Sequence, residues 1–177
     1  MKDKNVLRLV ISALCLAIAY VLPFLTGQIP QIGSMILPMH IPVLLCGFIC
    51  GWKWGLSVGF ICPILRSLTL GAPVLFPMAI CMALELATYG AISGLCHKIL
   101  PKKKIYIYIS LLISMILGRV IWGIAMAICL GITGSAWTFS AFITGAFSNA
   151  IIGIIIQIVL IPVLVMAIEP RVAKSNE

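Results

Sequence analysis

The sequence predicts an all-α integral membrane protein of six transmembrane helices with both termini cytoplasmic, and three observations carry that prediction. Hydrophobic residues make up 63% of the 177-residue chain and charged residues only 9%, where an ordinary soluble domain has about 25% charged residues. Apolar runs of about 20 residues, the length that crosses a bilayer, recur along the chain and leave no room for a separate soluble domain. The basic residues gather in short segments between alternate runs, which is the positive-inside pattern of a multi-pass protein. Residues 1–177 are therefore read as a single membrane domain.

The first span covers about residues 6–25. Its basic start imitates a signal peptide, but the run from Leu9 to Leu25 lacks a small-residue cleavage site, so an uncleaved helix is expected. A loop with Pro30, Gly33 and Pro38 follows. The second span, about 40–52, is short for a crossing unless residues from Met35 onward contribute. Lys53 stands between Trp52 and Trp54, a basic turn flanked by aromatics as at headgroup level, and the third span runs from about 54 to 70. Gly47, Gly51, Gly55 and Gly59 keep fourfold spacing across this turn, predicting close approach of spans 2 and 3.

The fourth span, about 77–97, has a row of Ala79, Ala83, Ala87 and Ala91 on which a neighbouring helix can pack closely. Pro101 and the run Lys102–Lys104 precede a fifth span at about 105–130. A Gly/Ser turn at 131–136 leads to a sixth span at about 137–168, where Pro162 is expected to kink the last turns. In this arrangement the loops 26–39, 71–76 and 131–136 contain no Lys or Arg. The basic segments around Arg8, Lys53, Lys98–Lys104 and Lys174 all lie on the other side, which places the termini in the cytoplasm.

The formal charge of +8 is accounted for by these topology signals, and nucleic acid is not an expected partner. Seven cysteines lie in or beside apolar segments with no C-x-x-C pair and no His/Cys cluster at metal spacing, so neither a metal nor another cofactor is expected. No G-x-x-x-x-G-K-[ST] loop occurs, so any transport cannot be energised by a nucleotide site on this chain.

Glu85 is the one acid placed in the middle of an apolar span. A charge there costs roughly 2.5–3.5 kcal/mol on insertion scales, so it must face a partner or a wet cavity. At 100° per residue it lies opposite Ala83 and Ala87, with Met78, Cys81, Thr88 and Tyr89 within roughly 60° of it. Two arginines also stand within apolar spans. Measured from the outer ends of their spans, Arg66 lies roughly 6 Å deep, Glu85 roughly 12 Å, and Arg119 and Asn149 roughly 16–18 Å.

These residues predict an outward-facing pocket of Glu85, Arg119, Arg66 and Asn149, with Trp122 as a platform, Tyr89 on the Glu85 face and His40 reaching in from the start of span 2. Two accounts of Glu85 and Arg119 stand side by side: a structural ion pair, or a ligand site. The surplus cation favours a ligand with a carboxylate or phosphate. His97, beside Lys98, is expected to be solvated, and Gln157 to make a helix-to-helix hydrogen bond. With one intramembrane acid and both histidines at span ends, an intramembrane enzyme is disfavoured. A stand-alone secondary transporter remains as a second reading, although no inverted repeat is evident.

Over residues 6–168 the chain resembles the substrate-specificity (S) components of energy-coupling-factor transporters. The resemblance is carried by Met35–Phe60, MILPMHIPVLLCGFICGWKWGLSVGF, with its H-I-P start and glycine-spaced turn, and by Ala13-x-x-x-Ala17, which resembles the family's docking motif. It implies a vitamin-uptake subunit in the plasma membrane of a prokaryote that captures a small solute outside. A transmembrane T component and two ABC ATPases would be the partners in delivering it. It further implies that Glu85, Arg119, Trp122 and Asn149 belong to the pocket and Ala13 and Ala17 to the docking face. The H-I-P start and the arginines look most like pantothenate-type members.

Overall fold

A computed structural model describes residues 2–26, 35–101, 103–134, 138–145 and 150–174. Among these residues every regular element is helical. Helix α1 (Lys2–Val21) continues into a 3-10 turn (Leu22–Thr26). Then follow α2 (His40–Cys50), α3 (Trp52–Leu70), a kinked turn (Leu75–Ala79) with Phe76 in an extended conformation, α4 (Ile80–Ile99), α5 (Lys104–Ile132), the short α6 (Phe139–Ile143) and α7 (Ile151–Lys174). Four stretches are long and apolar enough to cross a membrane: Lys4–Leu25, Leu75–Ile99, Lys104–Ile132 and Ile151–Glu169.

Two departures from the expected spans have local causes. The stretch read as one helix over 137–168 is divided, with α6 ending at Ile143 and α7 beginning at Ile151. Gly145 lies shortly after α6, and glycine is a poor helix former. Helix α7 then runs unbroken through Pro162 to Lys174. Helix α2 has only 11 residues, about 16 Å of rise, so by itself it reaches about half-way across a hydrocarbon core of about 30 Å.

The middle of the bundle is α2, α3 and α4, and glycine decides how closely they meet. A Cβ on Gly55 of α3 would lie 2.7 Å from the Gly47 Cα of α2 and 2.5 Å from the Gly90 carbonyl oxygen of α4. A Cβ on Gly59 would overlap the Leu86 backbone, and one on Gly94 would come within 2.5 Å of the Trp52 nitrogen. The spaced glycines of spans 2 and 3 therefore do approach each other, but they also seat α4 through Gly90 and Gly94. Ala79, Ala83 and Ala87 are buried as well. Gly51, at φ 97°, makes the turn between α2 and α3 in a conformation that glycine adopts freely.

Helix α1 packs on α2 and α3, while α5 packs on α4 and α7 on α2 and α5. Outward faces are strongly apolar: on α1 Val6, Leu9, Val10 and Leu14 are each more than half exposed, and on α5 so are Ile116, Ile124, Ile128 and Ile132. Apolar exposure on this scale marks the surface that lipid covers.

Candidate functional site

Helix α4 carries Glu85 near its centre, with a relative exposure of 1%. Its Oε1 lies 2.9 Å from Nη1 of Arg119 on α5 and 3.5 Å from Nε2 of His40, the first residue of α2. Tyr89, one turn along α4, is buried on the same side of the helix. The Tyr89 ring meets His40 edge-on at 5.2 Å between centroids and 61° between planes. Gly118, next to Arg119, makes room for that ring, because a Cβ there would overlap Tyr89. Three helices thus converge on one buried carboxylate.

The cluster holds more polar atoms than it satisfies. Arg119 Nε and Nη2 and both ring nitrogens of His40 are buried and lack a hydrogen-bond partner among the described residues, and the Nη1 contact is close without hydrogen-bonding geometry. Buried donors are ordinarily paired, and each unpaired one costs about 1–3 kcal/mol. Glu85 holds the Nη1 side of the guanidinium, so the Nε/Nη2 edge stays open. That edge is the planar fork that fits a carboxylate or phosphate.

Of the other residues expected around Glu85, Cys81 is buried beside it, its sulfur 3.8 Å from that of Cys129 on α5. Met78 is 40% exposed, and the Thr88 hydroxyl donates back to Leu84 O at 2.8 Å. Trp122, one turn beyond Arg119, is buried and stacks on Phe142 of α6 at 6.4 Å and 28°. Gly123 and Gly145 give these two rings their space. Trp122 belongs to a buried cluster with Cys81, Met126 and Cys129.

Arg66 is placed differently from the expectation. Its Nη1 donates to Tyr20 O at 2.7 Å, and its guanidinium lies 5.1 Å from the Phe24 ring centroid and 6.0 Å from that of Tyr20. A buried arginine at the end of α3 finds its acceptor at the end of the adjacent α1, so its charge ties these two helix ends together. Asn149 lies outside the described residues. Ala13 and Ala17 are exposed on α1, while Ser12, Cys15 and Ala19 face inward.

His97 is not solvated as expected. It is buried, its Nε2 lies 3.0 Å from Glu169 Oε1 on α7, and its ring meets Phe48 edge-on at 5.3 Å. The C-terminal ends of α4 and α7 come together here, and a single acid just before Pro170 was the available signal. Gln157, fully buried on α7, has neither side-chain polar atom paired among the described residues, in place of the helix-to-helix bond expected. No group of three or more His, Cys, Asp or Glu side chains able to hold a metal occurs among the described residues.

A second feature lies at the other end of the bundle, where α1 begins and α4 ends: a cleft of about 1150 Å³ bordered by Arg8, Lys53, Lys98 and the His97–Glu169 pair. It is separate from the Glu85 cluster.

The family described as ECF transporter, substrate-specific component, matches residues 7–165. No curated protein and no solved structure matches the chain.

Proposed function

The chain belongs to the substrate-specific components of ECF transporters, and from that membership we propose that it captures an anionic, vitamin-like solute at the cluster of Glu85, Arg119, His40 and Tyr89. The family is one of transporter components rather than enzymes, and it implies a small-molecule substrate, a T component and ATPases. The observation that carries the substrate class is the open Nε/Nη2 edge of Arg119. Glu85 orients the guanidinium, Tyr89 and His40 orient Glu85, and a ligand carboxylate takes the two remaining N–H groups in parallel. A pantothenate-like acid has that chemistry.

Trp122 and Phe142 supply the apolar wall next to this polar end, as small-molecule sites require. Asn149 belongs to the same proposed pocket by its depth in the sequence. In this reading all six apolar segments cross the plasma membrane of a prokaryote, with α2 completed by the residues before it. The basic end faces the cytoplasm, as the positive-inside rule directs. The exposed Ala13 and Ala17 offer a smooth face on α1 for the T component.

Mass spectrometry of small molecules that copurify with the detergent-solubilised protein, followed by titration of those found, tests the proposal. An anionic solute that binds the isolated chain, with uptake only in the presence of the coupling module, is the expected result. Uptake by the purified chain alone in liposomes would establish the stand-alone carrier instead.

A further inference from the structure

The cleft at the basic end is built from the starts of α1 and α3 and the ends of α2, α4 and α7. At about 1150 Å³ it exceeds the common range for small-molecule pockets, about 300–1,000 Å³. Arg8, Lys53 and Lys98 reach it from three different helices. Among the described residues that line it, Glu169 is the one carboxylate, and it is engaged by His97 at 3.0 Å. Among the described residues of the lining, three basic side chains thus stand against one carboxylate.

The lining also has an apolar part, which continues out of the cleft along α1. Val6 and Leu9 line it, each 53% exposed, and the ridge of α1 that starts at Val6 goes on through Val10 at 57% and Leu14 at 58%. Trp52 and Trp54 border the cleft on either side of Lys53, the placement of aromatics at the level of lipid headgroups. An occupant that suits both parts carries an anion at one end and a hydrocarbon tail at the other.

We propose that this cleft binds one anionic phospholipid, its phosphate among Arg8, Lys53 and Lys98 and an acyl chain laid along Val6, Val10 and Leu14. Basic pockets between membrane helices hold anionic headgroups in this manner. A lipid seated here bridges α1, α3 and α4 at the end of the bundle away from the Glu85 cluster. The inference requires only that this end lies at a membrane surface and is independent of the transported solute.

The test is native mass spectrometry of the full chain released from micelles containing equal amounts of phosphatidylglycerol and phosphatidylcholine. Phosphatidylglycerol should be retained preferentially, and Arg8→Gln, Lys53→Gln and Lys98→Gln should each lower that preference about fivefold. Lys104→Gln, which removes an equal charge from outside the cleft, should leave it unchanged. Thermal stability in lipid-free detergent identifies any variant that is misfolded, and the remaining single variants then decide.

Equal retention of the two lipids, or an equal loss in Lys104→Gln, overturns the proposal. So does displacement of the lipid by inorganic phosphate at matching concentration, which would mean a small-anion site. If the cleft substitutions spare lipid preference and instead reduce copurification of a protein partner, the cleft is a protein interface and the lipid assignment fails.

Discussion

The 2.9 Å contact between Glu85 Oε1 and Arg119 Nη1 neutralises two charges in the apolar centre of the bundle while leaving the Nε and Nη2 atoms of the same guanidinium buried and unpaired. A pair that existed only for neutrality would have no need of an arginine, since lysine carries the same charge as a single point. In the proposed site the arginine offers its second edge to a ligand.

That relationship separates the two accounts of the pair. If Arg119 holds a ligand carboxylate, Arg119→Ala should weaken binding by about 2–5 kcal/mol. Arg119→Lys should lose less, because it keeps charge without the fork. The double variant Glu85→Ala/Arg119→Ala should regain thermal stability relative to either single variant, since an isolated buried charge is the costly state, but should not regain affinity. Isothermal titration and thermal melts across the set read both quantities. Recovery of affinity in the double variant would assign the pair a structural role and move the pocket elsewhere.

Arg66 should behave in the opposite way. Its guanidinium serves the Tyr20 carbonyl and the Tyr20 and Phe24 rings, so Arg66→Ala should lower stability by about 1–3 kcal/mol with solute affinity unchanged. A large loss of affinity with normal stability would return Arg66 to the pocket.

Ala13→Trp and Ala17→Trp place bulk on a face of α1 that is exposed among the described residues. Solute binding by the isolated protein should be unaffected, while assembly with the T component and uptake should be lost, because the helices can no longer approach closely. Normal assembly and uptake in both variants would remove this face from the docking proposal.

Gly90→Ala and Gly131→Ala make a matched pair. A Cβ on Gly90 overlaps the Gly55 backbone, whereas one on Gly131 meets nothing within 4 Å. The first should destabilise by about 1–3 kcal/mol, the usual toll of overpacking, and the second should stabilise by about 0.4–1 kcal/mol by restricting the unfolded chain. Denaturation midpoints in one detergent compare them directly.

What the sequence determined by itself follows from sums and short periods. Membrane character is a property of composition, and the helical class follows from the length of the apolar runs. The need for Glu85 to have a partner follows from the cost of a lone charge in an apolar span. None of these depends on which helix lies beside which. Tertiary structure decided the rest. Sequence offers Arg119 as a partner for Glu85 and groups Arg66 with them, yet Arg66 reaches α1 instead, because that choice depends on helix rotation and neighbour order. His97 reads as a solvent-facing residue beside Lys98 until α7 brings Glu169 to it. Gly90 and Gly94 carry no signal as strong as the alanine row, but the backbone approach of α2 and α3 makes them the positions where a methyl group does not fit.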